Sequence, residues 1–155
     1  EDPDLSIRLW KLGFETKLIP EAYVYHKRRI DWNKFFIQVN KFGKARPILN
    51  YWYPEYAKLT FWLPTLFCIG FVSSVIFTLF GINLFLLLYS TYFIVLFLAA
   101  LWNTKKLKIA LYSLVAVTIQ FYGYGTGFLI AYWNIFIRKL KPEIAHPELF
   151  FKINK

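Results

Sequence analysis

The sequence predicts a mixed α/β remnant followed by an all-helical membrane region of about three spans. The 155 residues are 57% hydrophobic and 22% aromatic but only 18% charged, against roughly 45–50% apolar and about 25% charged in ordinary soluble domains. Every charged residue lies outside residues 59–104 and 109–137, so a bilayer is the natural solvent for those two stretches. The residues ahead of them carry first a helical and then a strand-like pattern, and are too few to close a domain core of their own.

Residues 1–30 read as a short helix, a turn and a strand. Leu5, Leu9 and Leu12, with Ile7 and Trp10, follow the helical period, and Gly13 sits where a left-handed residue ends a helix. Residues 17–25 alternate loosely around Pro20 and finish on Ala22-Tyr23-Val24-Tyr25, a β-prone run. Residues 31–58 form an interface helix and linker. Asp31 is placed to cap the helix, Trp32, Phe35, Phe36, Val39 and Phe42 gather on one side, and Lys34, Gln38 and Lys41 fall on the other. Such a helix either lies in the membrane surface with its apolar face in the lipid boundary or packs on its own domain. Arg46-Pro47 is expected to break it. Tyr51, Trp52, Tyr53 and Tyr56 then precede Lys58 as an interfacial aromatic belt.

The membrane region covers residues 59–141. A helix needs about 20 apolar residues to cross the hydrocarbon core, so residues 59–80 and 82–103 fit as two spans joined by a turn at Gly81. The basic loop Lys105-Lys106-Leu107-Lys108 follows, and the positive-inside rule places it with the basic N-terminal segment on the cytoplasmic side. Residues 109–137 are long for one crossing and contain Gly123, Gly125 and Gly127. If this stretch crosses once, Arg138 and Lys139 emerge against the charge rule; if it turns back near the glycines, they agree with it. The tail, residues 142–155 with His146-Pro147, reads as extended along a surface.

Charge and cysteine content narrow the classes. The net charge of +10 would suit nucleic acid in a soluble protein, but Lys58, Lys105, Lys106, Lys108, Arg138, Lys139 and Lys141 crowd the ends of apolar segments, where anionic lipid headgroups are the partner and nucleic acid is not. One cysteine, Cys68, allows no internal disulfide and no thiolate cluster. With no Met and a motif already under way at Glu1, the chain is expected to continue upstream.

Glu1, Asp2 and Asp4 stand ahead of a helix, where carboxylates stabilise the helix dipole and where one of them could also serve as a general base for a hydroxyl. The run Glu1-Asp2-Pro3-Asp4-Leu5-Ser6-Ile7-Arg8-Leu9, then Gly13-Phe14 and Pro20-Glu21-Ala22-Tyr23-Val24-Tyr25-His26, resembles the end of the GT-A catalytic domain of membrane-bound family-2 glycosyltransferases, relatives of cellulose, hyaluronan and poly-N-acetylglucosamine synthases. In those enzymes an E-D pair opens a helix of the form E-D-x-D-L-S-x-R, and its Asp deprotonates the acceptor. The resemblance covers roughly the first 46 residues. It implies that Asp2 is the catalytic base with Glu1 beside it, that Asp4 and Arg8 support the helix start, and that a divalent metal, Mg or Mn, is held mainly by residues upstream of this chain.

His26 is then either a late metal ligand or a hydrogen-bonded structural residue. Lys27-Arg28-Arg29 suits a diphosphate or lipid headgroups equally. Gln38 to Phe42, Q-V-N-K-F, is similar to the Q-x-x-R-W signature of the polysaccharide synthases, but Lys41 replaces Arg and Phe42 replaces Trp, so processive polymerisation is not carried over. Gln38 and Lys41 are candidates for the acceptor and leaving-group side or belong to a solvated helix face. Gly123 and Gly127 form a G-x-x-x-G pattern suited to close helix packing in lipid.

Together these expectations describe an integral membrane protein with its catalytic part on the cytoplasmic face. It would transfer a sugar, with inversion, from a nucleotide-sugar to a lipid-linked or glycan hydroxyl acceptor, with this chain inactive by itself. A single-transfer polyisoprenyl-phosphate glycosyltransferase and a small non-enzymatic membrane interaction protein are the alternatives.

Overall fold

The computed structural model describes residues 2–25 and 31–150, with Asp2 through its backbone alone. Helix α1 spans Asp2–Lys11. Gly13 follows with φ +84°, a left-handed conformation that costs glycine nothing because it has no Cβ. The Gly13 N–H donates to the Trp10 carbonyl at 3.0 Å and the Phe14 N–H to that of Leu9 at 3.0 Å, which satisfies carbonyls the helix end leaves open.

No strand follows it among the described residues. The β-prone residues 17–25 are extended, with a turn at Pro20-Glu21, and among the described residues there is neither strand nor bridge. The expected α/β remnant is therefore not seen among the described residues, whose regular structure is all helical. Strand propensity expresses the fit of side chains to a pleated, half-buried sheet. Here Leu18, Val24 and Tyr25 are 86%, 88% and 95% exposed, with no neighbouring strand to take up their backbone groups.

Helix α2 runs Trp32–Trp52. Asp31 caps it, its carboxylate accepting the Lys34 amide at 2.9 Å. Arg46-Pro47 does not end this helix: Pro47 lies buried inside it. An interior proline costs about 3 kcal/mol, and the packing of Val39, Gly43, Pro47 and Ile48 on the buried face offsets that cost.

Three helical segments are long and apolar enough to cross a membrane: Leu59–Leu79, Leu84–Thr104 and Leu107–Ile137. The first opens with a 3-10 turn, Leu59–Trp62, and continues as α3, Leu63–Leu79. Gly81, at φ +82°, makes the turn into α4, Leu84–Thr104. Helix α5, Leu107–Tyr132, is continuous through its glycines and ends in a π-turn over Trp133–Ile137, so the third stretch does not fold back on itself. The described part of the tail, residues 142–150, is not extended: a short α6, Pro142–Ala145, and a 3-10 turn, Pro147–Leu149, lie beyond α5.

Helix α5 is the hub. Trp32 meets Tyr112, Phe36 stacks on Tyr122 and Tyr51 meets Phe136, so α2 lies along α5 in the same direction. The expected apolar face of α2 is thus largely spent on α5, with Phe42 left exposed. Glycines set the distance between the two helices. A Cβ on Gly43 would run into the Tyr124 carbonyl and one on Gly127 into the Asn40 carbonyl, and close backbone approach of this kind is what small residues allow. Asn40 Nδ2 donates to the Gly123 carbonyl at 3.0 Å.

The first apolar segment meets α5 in the opposite sense. Trp62 packs edge-on against Phe128 and Tyr132, the Thr65 hydroxyl donates to the Gly125 carbonyl at 3.1 Å, and Phe67 stacks on Phe121 at 4.0 Å. The start of the first apolar helix and the end of the third therefore share one end of the molecule. Helix α4 has no residue buried within the protein, which suits a helix surrounded by lipid.

Candidate functional site

The shared end is where α1 docks. Asp4, in the first turn of α1, accepts a hydrogen bond from the Tyr53 hydroxyl at 2.8 Å and pairs with Arg8 at 2.8 Å. At the other end of α1, Lys11 pairs with Glu55 at 2.6 Å and stands 4.6 Å from the Tyr53 ring centroid, while Trp10 stacks on Tyr56 at 6.1 Å. The helix thus grips the segment between α2 and the first apolar helix, Tyr53 to Tyr56, at both of its ends.

These contacts shift the groups that make them. Hydrogen bonding to Asp4, with some burial, raises the Tyr53 phenol above its ordinary value. The hydrogen bond from Lys11 holds the Glu55 carboxyl below the usual range, and the same bond raises Lys11. The pairs are solvent-accessible, so they orient α1 more than they stabilise it.

Between α1, α2 and the linker lies a cleft of about 360 Å³. One face of α1 lines it through Pro3, Ser6, Ile7 and Trp10, at helical spacing. The last turns of α2 add Arg46, Leu49 and Asn50, and the linker closes it with Tyr56, Lys58 and Phe61. Arg46 rests over the Phe61 ring at 4.7 Å, a cation–π placement. No carboxylate among the described side chains lines the cleft. Its floor is apolar and its polar wall is made of hydrogen-bond donors, two of them cationic.

The sequence-derived site residues are distributed as follows. The Asp2 backbone opens α1, one turn before Ser6 on the same helical register. Asp4 and Arg8 are paired with each other and serve to hold α1. Glu1, His26, Lys27, Arg28 and Arg29 lie outside the described residues. Gln38 is half-buried and Lys41 exposed on α2, ahead of the turns that line the cleft, and neither is brought to it. Between them, Val39 is buried and Asn40 is bonded to α5, so the middle of the Q-V-N-K-F run packs helices together.

Arg46 and Asn50 are not legible from sequence as site residues, and Lys58 is legible there only as one of several basic residues facing lipid headgroups. The one available signal was the pairing of Arg46 and Lys58 with the aromatic belt, since Arg46-Pro47 reads most naturally as a helix breaker. Among the described residues no group of three or more His, Cys, Asp or Glu side chains gathers closely enough to hold a metal ion. These residues do not fit a metal centre among themselves. No protein-family model, curated protein or solved structure matches the chain.

Proposed function

We propose that this chain is the membrane-proximal part of an inverting family-2 glycosyltransferase, with its catalytic part on the cytoplasmic face. It acts on a nucleotide-sugar donor and a lipid-linked or glycan hydroxyl acceptor. One observation supports this reading above the others. The helix that opens E-D-x-D-L-S-x-R is clamped at both ends to the segment entering the first apolar helix, so the backbone of Asp2 stands beside a cleft at the membrane edge.

Asp2 takes the proton of the acceptor hydroxyl as its oxygen bonds to the anomeric carbon. The bond from that carbon to the donor diphosphate breaks, and the nucleoside diphosphate leaves with both electrons. A carboxylate in this role contributes typically about 10²–10⁴-fold. Asp4 and Arg8 hold the helix that presents it. The divalent ion implied by the resemblance would be held by residues other than those described, and the proton transfer assigned to Asp2 does not run through it.

The test is Asp2→Asn in the full-length enzyme in membranes, with sugar transfer and donor binding measured separately. Transfer should fall by at least about 10²-fold while insertion and donor binding persist. Turnover near that of the unaltered enzyme would remove Asp2 from the chemistry, and absence of any nucleotide-sugar binding would favour a non-enzymatic membrane protein.

A further inference from the structure

We infer that the cleft between α1, the end of α2 and the linker binds the phosphate group of an anionic membrane lipid, held by Arg46 and Lys58. Its position comes first. Lys58 directly precedes Leu59, where the first apolar segment begins, and Tyr51, Trp52, Tyr53 and Tyr56 lie just before it in sequence. Aromatic residues of this kind settle at headgroup depth, so the cleft opens at the level where lipid phosphates lie.

Its chemistry selects the ligand. Arg46 and Lys58 make no ion pair among the described residues, although the neighbouring cations Arg8 and Lys11 both do. Ser6, Asn50 and Tyr56 line the same cleft, and no described carboxylate does. A guanidinium that shares a cleft with an ammonium and neutral polar side chains is suited to a phosphate oxygen cluster. The apolar floor of Ile7, Leu49 and Phe61 suits the first methylenes of a lipid chain and offers nothing to a free ion. The cleft volume of about 360 Å³ falls within the range of small-molecule sites.

This inference stands without the sugar-transfer reading. If both hold, the phosphate is bound beside Pro3 and Ser6 of the helix whose first residue is Asp2, and the acceptor is the hydroxyl of a glycan carried on a lipid phosphate.

The experiment uses the protein purified in uncharged detergent, titrated with short-chain phosphatidic acid and followed by native mass spectrometry. Phosphatidylcholine and inorganic phosphate are titrated in parallel. Phosphatidic acid should bind in preference to both. Arg46→Gln with Lys58→Gln should weaken it by about thirtyfold, the effect of two surface cations on an anionic lipid. Lys105→Gln with Lys106→Gln removes the same charge elsewhere and should change little. The charge-conserving pair Arg46→Lys with Lys58→Arg should retain binding, which separates loss of charge from loss of fold.

Equal weakening by both glutamine pairs would overturn the inference in favour of diffuse charge attraction. Inorganic phosphate binding as tightly as the lipid would overturn it in favour of a simple ion site. Asp2→Asn transfer assays are a separate measurement, so failure of either claim leaves the other readable.

Discussion

Gly127 and Gly13 show how one residue type serves different ends. At Gly127 the need is space, because an added Cβ would strike the Asn40 backbone of α2. At Gly13 the need is conformation, because φ is +84° and nothing lies near the missing Cβ. Gly127→Ala should therefore force α2 and α5 apart and cost about 1–3 kcal/mol, as overpacking does. Gly13→Ala should cost about 1–2 kcal/mol of left-handed strain and leave the α2–α5 pair intact. Chemical denaturation in detergent measures both, and Phe36–Tyr122 stacking, followed by near-ultraviolet dichroism, should change only for the first. Equal dichroic spectra for the two variants would mean that glycine packing does not set the helix separation. The same distinction bears on Asn40, whose bond to the Gly123 carbonyl exists only because the backbones come so close.

At the scale of elements, α1 is held by its ends, and its docking should depend on pH in both directions. Glu55 is depressed by its Lys11 partner, so its contribution is present above its unfolded value, near 4.3, and is lost as pH falls through the lower folded value. Tyr53 is raised by Asp4, so its contribution is full below its unfolded value, near 10, and is lost as pH rises through the higher folded value. Lys11, also raised, follows the alkaline arm. Docking should be tightest from about pH 5 to about pH 9 and loosen outside that window. Trp10 fluorescence, taken as the difference from Trp10→Phe, reports it through the stack on Tyr56; a signal flat from acid to alkali would remove these pairs from the clamp.

How much of this was legible beforehand follows from what each element needs. Leu5, Leu9 and Gly13 announce α1 because a helix satisfies its own backbone, and Asp31 announces the start of α2 through a local cap. The apolar spans are legible from length alone. Val24 and Tyr25 mislead because a strand depends on a partner that local sequence does not contain. Pro47 misleads because the packing that keeps α2 helical comes from α5, far along the chain. The cleft escapes for the same reason: Ser6, Arg46 and Lys58 belong to three separate segments and share nothing in sequence spacing.

At the scale of the whole molecule, charge and helix direction decide how the protein sits in a bilayer. Helix α2 carries Lys34, Lys41, Lys44 and Arg46 and lies along α5 from Tyr112 to Phe136. A single charge at the bilayer centre costs about 2.5–3.5 kcal/mol on insertion scales, so α2 belongs at the interface, and the part of α5 bound to it is drawn there too. The tail ties into the same end. Lys44 donates to Glu148 at 2.9 Å, Glu148 lies 3.5 Å from the buried His146, and Trp52 meets Phe150. Arg138 and Lys139 thus leave α5 at the end where Lys58 enters the first apolar segment, as the contacts of Trp62 with Tyr132 and of Tyr51 with Phe136 require. This arrangement reconciles the basic exit of the third segment with the charge rule, whereas three complete crossings would put Lys58 and Arg138 on opposite faces. Cysteines introduced as Ala57→Cys and Lys139→Cys, each in a Cys68→Ser background, should therefore react with a membrane-impermeant maleimide from the same side. Vesicles of one orientation should label both and vesicles of the other orientation neither. Labelling of the two positions from opposite sides would mean that α5 crosses completely and that the shared end, with the cleft it forms, does not persist in the bilayer.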